Sequence, residues 1–263
     1  MDRIIAKERA NKIIYLEGDK CYKVFEESYN VGNVLNEALN HARIQDTDLR
    51  VPHLIAVNTI DKKWAIVTER INGKTLEKLI EEKPDKLDYY FNKFVDIQIN
   101  MQSKRCPLLS KHRDKMNRKI SETNLSSTLR YDLHTRIETM PHHNFLCHGD
   151  YNLSNVILDE NENDYIIDWS HATQGNREAD SARTYLLFLL EGRNDLARKY
   201  IDLYCEKSGC KVFDILNWLP ILAASQSVKS IENETSLLKE IIFMDEKGLN
   251  ELYEKVWDQN RLS

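Results

Sequence analysis

The stretch from Phe145 to Trp169 constrains the fold of this chain most, because short apolar runs alternate in it with polar residues. Three of the runs are too short for helices and rich in β-branched or aromatic residues, which predicts buried strands at 145–147, 156–158 and 165–167. The polar segment 159–164 predicts a hairpin turn between the last two strands. This hairpin would bring Asn155, before its first strand, close to Asp168, after its second.

The polar residues at these strand ends are of the types that phosphoryl transfer requires. Asn155 and Asp168 offer oxygen ligands, which suit Mg²⁺ that carries nucleotide phosphates better than they suit zinc or copper. Asp150 lies on the preceding loop, where a carboxylate can accept a hydrogen bond from a hydroxyl nucleophile. The order His148-Gly149-Asp150, four residues, Asn155 and then Asp168 after a hairpin follows the kinase order His-Arg-Asp, four residues, Asn and Asp.

This arrangement resembles the aminoglycoside phosphotransferase and choline kinase family, whose catalytic loop carries His-Gly-Asp and whose metal-binding Asp is often followed by Trp or Phe. The resemblance implies an α+β, protein-kinase-like fold with two lobes, a small N-terminal lobe on an antiparallel sheet and a larger helical C-terminal lobe, with the site in the cleft. It also implies ATP or GTP and Mg²⁺ as cofactors. Asp150 would be the catalytic residue, Asn155 and Asp168 the metal ligands, and His148 a structural support of the site.

We expect the N-terminal nucleotide-binding lobe at residues 1–70, a hinge at 71–74, and the helical lobe with the catalytic loop and acceptor pocket at 75–263. Short apolar runs around the turn at Gly18 predict an antiparallel meander. The loop between its first two strands would be 7–11, which contains no glycine. The glycine-rich loop of protein kinases is therefore missing, and ordinary backbone, with Arg9 as a candidate side chain, would cover the phosphates.

Lys23 stands inside an apolar run that we predict to be the third strand. In kinases a lysine at this place binds the α- and β-phosphates and pairs with an acidic residue of the next helix. Glu37 is the natural partner, because it flanks the apolar stripe of a helix for which Asn33 is the predicted N-cap. The apolar stripe of this helix consists of Val34, Leu35, Ala38, Leu39 and Ala42. The alternative is that Lys23 is an outward-facing residue of an edge strand.

Four further site residues, Glu69, Ile71, Asp180 and Arg183, follow from the resemblance or from spacing. The backbone from Glu69 to Ile71 would contact the adenine edge. Asp180 matches a family aspartate that braces the catalytic loop, although a carboxylate at a helix start is also favoured by the helix dipole. Arg183, one turn later, is placed to pair with Asp180.

Two sequence features argue against a protein kinase that is regulated by phosphorylation. No long activation segment follows Asp168, because the chain runs from Gly175 straight into a predicted helix. Gly149 also stands where many protein kinases have the arginine that binds the activation-loop phosphate. Both features favour a small-molecule kinase.

Composition excludes several classes of partner. The net charge is −5 and there is no basic block, so nucleic acid is not expected. The N-terminus does not have the pattern of a signal peptide, and no apolar stretch is long enough to span a bilayer, so no membrane is expected. The five scattered cysteines lack a Cys-x-x-Cys pair, which fits reduced thiols in a cytoplasmic protein. Nothing in the sequence predicts an oligomeric state.

Two other functions remain open from the sequence. In a metal-dependent phosphoester hydrolase, His148, Asp150, Asp168 and His171 would bind the metal directly, but Asn155, Lys23 and Glu37 would then have no role. A non-catalytic nucleotide-binding protein would not need Asp150.

The sequence does not identify the small-molecule acceptor, which could be aminoglycoside-like, an amino alcohol or a sugar. A cationic acceptor would require carboxylates, for which Glu232 and Glu234 are candidates, although their position favours a solvated helix face.

Overall fold

The computed structural model describes residues 4–9, 11–228 and 232–258, which form ten strands and eleven helices. The strands are β1 (Ile4–Arg9), β2 (Lys12–Glu17), β3 (Lys20–Phe25), β4 (Leu54–Ile60), β5 (Lys63–Glu69), β6 (Gly73–Thr75), β7 (Phe145–Cys147), β8 (Val156–Asp159), β9 (Asp164–Ile166) and β10 (Thr173–Gly175). The helices are α1 (Val31–Gln45), α2 (Leu76–Glu82), α3 (Leu87–Gln102), α4 (His112–Ser121), α5 (Ser127–Thr139), α6 (Arg177–Leu190), α7 (Asn194–Ser208), α8 (Val212–Leu216), α9 (Leu219–Ser227), α10 (Glu232–Ile242) and α11 (Glu246–Asp258). The predicted α+β architecture, with an antiparallel-sheet N-terminal part and a helical C-terminal part, is confirmed.

The chain forms two compact units, each made of two stretches of sequence. The first, which we call the sheet unit, comprises the chain up to Tyr90 together with Leu153–Ala172. The second, the helical unit, comprises Phe91–Asn152 and the chain from Thr173 onward. The β8–β9 hairpin joins the sheet unit because β8 pairs with β6. The lobe and hinge boundaries expected from the sequence stay predictions.

The sheet unit is built on a five-stranded antiparallel sheet in the order β1-β2-β3-β5-β4. Its first three strands form the predicted meander around Gly18. Helix α1 packs on this sheet through a core in which Phe25 and Val34 are completely buried and Ala38 and Ile66 are nearly so. Successive side chains of a strand point to opposite faces, so residues two apart share one face of the sheet.

The loop predicted at 7–11 is wrong, because β1 continues to Arg9 and pairs there with Lys12. The backbones of β1 and β2 are therefore paired as antiparallel strands almost up to the turn. Antiparallel strands can be joined by a turn of two residues, so the pairing leaves no room for a longer loop.

Helix α1 differs from the predicted helix at its start and on its buried face. Asn30 is the N-cap, and its side chain accepts a hydrogen bond from the backbone N–H of Asn33 at 3.1 Å, so the prediction of Asn33 as the cap is wrong. Leu35 and Leu39, which were expected in the apolar stripe, are about half exposed. The buried face instead carries three polar side chains, those of Glu37, Asn40 and His41.

A second, three-stranded sheet of the sheet unit has the order β6-β8-β9. Gly73 starts β6 opposite Asp159, and a Cβ on Gly73 would lie 2.2 Å from the carbonyl oxygen of Leu158. Only glycine lets the two backbones approach this closely. Part of the segment expected to be a hinge is thus a strand that holds the β8–β9 hairpin.

The helical unit has an aromatic core. Phe94 stacks on Tyr151 with ring centroids 4.5 Å apart, and Phe188 and Tyr200 pack around the pair. The hydroxyl of Tyr151 donates to the backbone oxygen of Phe94 at 2.7 Å, so the segment directly after the predicted catalytic residue is fixed to α3. Across the described part of the chain, no helix is both long and apolar enough to cross a membrane.

Candidate active site

The sheet unit contains a cavity of about 500 Å³, which lies within the size range of small-molecule sites. Residues two apart on β2, β3 and β5 face it, together with residues of the β8–β9 hairpin. Most of its walls are apolar and include Ile14, Leu16, Ile66, Ile157 and Ile167. Its charged and amide side chains include Lys12, Lys23, Glu37, Asn155 and Asp168.

Lys23 holds two carboxylates in this cavity. Its Nζ donates to Glu37 Oε1 and, at 2.9 Å, to Asp168 Oδ1. Burial alone would lower the pKa of Lys23, but the two carboxylates outweigh it and raise that pKa above its ordinary value. β3 is the middle strand of the five, so the alternative of an outward-facing edge lysine is wrong.

Asp168 adopts a backbone conformation that is rare for a residue with a side chain, with φ at 63° and ψ at 60°. Such backbone strain in a partly buried polar residue is a feature of functional sites. The hydroxyl of Ser170 donates to the carboxylate at 3.0 Å. Burial alone would raise the pKa of the Asp168 carboxyl, but the ammonium groups of Lys23 and Lys12 hold it well below its ordinary range. The carboxylate is therefore ionised and available to a cation.

Asn155 is buried and lines the same cavity. Its backbone oxygen accepts a hydrogen bond from the N–H of Ile167 at 3.0 Å, so the hairpin does bring Asn155 beside the residue that precedes Asp168. An ionised carboxylate and an amide oxygen are a donor set that fits Mg²⁺, whose other ligands are commonly phosphate oxygens and water. Among the residues that the structure describes, no three His, Cys, Asp or Glu side chains are grouped so that they could hold a metal by themselves.

Lys12 is a cavity residue that the sequence analysis missed. Its Nζ lies 3.7 Å from Asp168 Oδ2, and its side chain is only 13% exposed. Burial and the nearby ammonium of Lys23 lower the pKa of Lys12 to about 8. Its position two residues before Ile14 on β2 is a sequence signal that could have placed it on the cavity face.

The two residues expected at the adenine edge, Glu69 and Ile71, both line the cavity. The backbone N–H of Glu69 donates to the oxygen of His53 at 2.8 Å, and its carboxylate accepts from the N–H of His53 at 3.2 Å. These two bonds fix the end of β5 to the segment before β4.

In the helical unit, the loop His148-Gly149-Asp150 is held by one hydrogen bond within the loop and by another to Asp180. His148 is completely buried, and its Nδ1 accepts from the backbone N–H of Asp150 at 3.2 Å. Gly149 has a φ of +78°, a left-handed conformation that glycine adopts without strain. A glycine is thus needed where many protein kinases carry arginine.

Asp180 lies at the centre of a buried hydrogen-bond chain. Its Oδ1 accepts from the backbone N–H of Gly149 at 2.7 Å, and its Oδ2 accepts from Nε2 of Gln102 at 3.0 Å. Oε1 of Gln102 in turn accepts from the hydroxyl of Tyr204 at 2.6 Å. The chain connects α3, α6 and α7 to the loop that carries Asp150.

The predicted pairing of Arg183 with Asp180 is wrong, because the guanidinium of Arg183 contacts Asp150 and Gln226. Arg183 instead reaches Oδ1 of Asp150 at 3.5 Å and donates to Oε1 of Gln226 at 3.0 Å. The guanidinium therefore lies between the predicted catalytic carboxylate and the end of α9.

Comparison with known proteins decides the family. The profile of the phosphotransferase enzyme family (APH) matches residues 21–216, well over half of the sequence. The chain belongs to the phosphotransferase enzyme family. It is therefore a small-molecule kinase that uses a hydroxyl group as acceptor. No curated protein matches the sequence of this phosphotransferase.

Solved structures of similar fold include aminoglycoside and choline kinases. A thermostable mutant of aminoglycoside phosphotransferase APH(4)-Ia, in ternary complex with ADP and hygromycin B, is 12% identical, with a TM-score of 0.68 over 96% of this chain and 93% of that chain. Choline kinase LicA from Streptococcus pneumoniae is 16% identical, with a TM-score of 0.57 over 97% and 90%. The streptomycin–ATP complex of APH(2")-IIa is 13% identical, with a TM-score of 0.59 over 95% and 93%. At these identities the likeness shows a shared fold.

Sequence reasoning also missed Gln102 and Gln226, whose contacts depend on helices that are distant in sequence. Glu232 and Glu234, the candidates for a cationic acceptor, have side chains outside the described part of the chain.

Proposed function

We propose that this phosphotransferase moves the γ-phosphate of ATP or GTP, bound with Mg²⁺, to a hydroxyl of a small molecule. The observation that carries the proposal is the lysine of a central strand held between Glu37 and Asp168 in a ligand-sized cavity. A lysine, a helix glutamate and a metal-binding aspartate in contact are the parts that kinases require together.

The apolar walls of the cavity would hold the base, which would lie near Glu69 and Ile71, two of the lining residues. The phosphates then lie at Lys23. Solved structures of similar fold in complex with ADP, AMP-PNP or ATP support a nucleotide in this role.

Asp168 and Asn155 would hold the magnesium ion, which when bound neutralises charge on the phosphate oxygens. Lys23 keeps Asp168 ionised and would bind the phosphates. Glu37 remains to orient the lysine.

Asp150 orients the acceptor hydroxyl and accepts its proton. Gly149, braced by Asp180, sets the direction of the Asp150 side chain, and Arg183 limits its rotation. A carboxylate fixed in this way contributes by positioning, and such groups typically supply about 10²–10⁴-fold in rate.

The acceptor belongs to the broad class of small hydroxylated molecules: aminoglycoside-like compounds, amino alcohols or sugars. Neighbouring structures contain hygromycin B or streptomycin, and others are choline kinases, so the fold serves chemically different acceptors. The five cysteines are all in the thiol form, which supports a reducing, cytoplasmic location.

The proposal is tested by measuring ATP turnover against a panel of acceptors, with wild type and Asp150→Asn. Wild type should form a phosphorylated product, and Asp150→Asn should lose about 10²–10⁴-fold in turnover while it keeps its nucleotide affinity. Asp195→Asn, an exposed aspartate in the first turn of α7, is the matched control and should leave both unchanged.

Three results would contradict the proposal. Phosphate released from phosphoesters without an acceptor, with loss of a bound transition metal in Asp150→Asn, would indicate the hydrolase. Nucleotide binding without transfer to any acceptor would indicate the non-catalytic protein. Loss of nucleotide affinity in Asp150→Asn would show that Asp150 has a different role.

A further inference from the structure

We propose that Lys12 binds the terminal phosphates of the nucleotide, in place of the backbone amides that a glycine-rich loop supplies in protein kinases. This inference rests on the proposed function and assigns one more residue to the same site. It starts from the turn between β1 and β2, where such a loop would lie.

The sequence around that turn is not glycine-rich. Glycine-rich loops bind phosphates because glycine lets successive N–H groups point at one anion. Here no glycine precedes Gly18, and β1 and β2 pair in register from Lys7 and Ile14 to Arg9 and Lys12. The backbone of β2 is paired with β1 on one side and with β3 on the other, so a positive contact from β2 to the cavity requires a side chain.

Lys12 supplies that side chain. It shares one face of β2 with the cavity residues Ile14 and Leu16, and its Nζ lies 3.7 Å from Oδ2 of Asp168. Lys23 contacts the other carboxylate oxygen at 2.9 Å. Two ammonium groups therefore flank the carboxylate that is the proposed metal ligand, one from each of two neighbouring strands.

Pairing with Asp168 alone does not explain this arrangement. The hydrogen bonds that the carboxylate receives from Lys23 and from the hydroxyl of Ser170 both go to Oδ1, and Lys12, at 3.7 Å from Oδ2, lies beyond hydrogen-bond distance. Lys12 also lies near the like charge of Lys23, and a further anion in the cavity would offset the repulsion between the two ammonium groups.

The charges of the site favour a polyphosphate as that anion. Lys12 and Lys23 balance Glu37 and Asp168 when the cavity holds no ligand. A magnesium ion on Asp168 leaves two positive charges in excess, and these attract an anion with several negative charges. A nucleoside triphosphate satisfies this requirement better than a nucleoside or a monophosphate.

The test measures Mg²⁺-dependent affinity for adenosine, ADP and ATP by calorimetry in wild type, Lys12→Gln and Lys12→Arg. Lys12→Gln should weaken ATP binding about 10- to 100-fold, which corresponds to one charge-assisted contact, and should leave adenosine affinity within about twofold. Lys12→Arg keeps the charge and should retain most of the ATP affinity. Lys63→Gln is the control, because Lys63 pairs with Glu26 at 2.8 Å and is not among the cavity residues.

A second measurement uses the wild-type protein, so that it does not depend on the folding of a variant. Acetic anhydride labels accessible lysines, and mass spectrometry gives the labelling rate at each. ATP and inorganic tripolyphosphate, each with Mg²⁺, should slow labelling of Lys12 at least about fivefold, while adenosine should not and Lys63 should be unaffected.

The inference fails alone if wild type binds ATP but Lys12→Gln keeps the full preference of ATP over adenosine, or if ATP leaves the labelling of Lys12 unchanged. The proposed function and the inference fail together if wild type shows no preference for ATP over adenosine.

Discussion

The backbone N–H of Gly149 donates a hydrogen bond of 2.7 Å to Oδ1 of Asp180, which is 2% exposed. The bond joins the first turn of α6 to the residue directly before Asp150. Because Gly149 is in a left-handed conformation with no side chain of its own to hold it, this bond is a principal restraint on the direction of Asp150.

Replacing Asp180 by Ala should therefore reduce both stability and turnover. It leaves the N–H of Gly149 without its acceptor and removes the shortest hydrogen bond of Gln102 Nε2, which costs about 1–3 kcal/mol in free energy of unfolding. Turnover should fall at least about tenfold, with nucleotide affinity unchanged. Chemical denaturation and steady-state kinetics measure the two effects.

Asp195→Ala is the control for Asp180→Ala, because it removes a first-turn carboxylate of α7 that acts only on the helix dipole. It should cost less than about 1 kcal/mol. Equal effects of the two substitutions would mean that Asp180 acts only as a carboxylate at a helix start and does not brace the catalytic loop.

Lys23→Met should lower the free energy of unfolding in the absence of nucleotide and metal. Removing the ammonium leaves Glu37 and Asp168 as two like charges in a buried site, and breaking such a pair costs about 3 kcal/mol or more. The double variant Lys23→Met/Glu37→Gln should recover part of the loss, because one of the two carboxylates is neutralised. Additive losses in the double-mutant cycle would disprove the coupling.

Gly73→Ala should disturb the β6–β8 pairing, since the new methyl group would lie 2.2 Å from the carbonyl oxygen of Leu158. We expect a loss of about 1–3 kcal/mol and weaker nucleotide binding, because Gly73 also lines the cavity. Gly192→Ala is the control: at a φ of +68° it has backbone strain but no steric contact, so it should cost about 1–2 kcal/mol and leave ligand affinity unchanged. Unchanged nucleotide affinity in Gly73→Ala would contradict this expectation.

His112 should make the protein less stable in mild acid. Its ring is buried against Trp218, its Nδ1 has no partner among the described residues, and burial lowers its pKa to about 3. The unfolded chain takes up a proton on this side chain below about pH 6.5, but the folded protein does not until about pH 3. The contribution of His112 to the free energy of unfolding is thus fully present above pH 6.5 and is lost as the pH falls towards 3.

Between pH 7.5 and 5.5, His112 alone should cost about 1.4 kcal/mol in free energy of unfolding. His112→Phe removes the titrating group, so its stability should fall by that much less over the same interval in urea denaturation. Equal losses in wild type and variant would show that His112 does not contribute to the loss of stability between pH 7.5 and 5.5.

The sequence by itself determined the order of elements around the catalytic loop. The runs at 145–147, 156–158 and 165–167 are bounded by polar residues, and strand propensity with a six-residue polar turn leaves few other local structures. Asn155 and Asp168 were therefore predictable as neighbours, since a hairpin brings its two ends together. Lys23 and Glu37 were predictable as a pair from the strand and helix that carry them.

Tertiary structure decided the contacts that join segments distant in sequence. The helix stripe pattern assigned Leu35 and Leu39 to the buried face of α1, but the face against the sheet carries Glu37, Asn40 and His41, since polar side chains there have buried partners. The tertiary structure also decided the partners of Asp180. Its two oxygens accept hydrogen bonds from Gly149 and Gln102, and Arg183 contacts Asp150. Lys12 reaches the cavity only because β2 lies next to β3, and residue spacing along one strand does not specify which strand pairs with it.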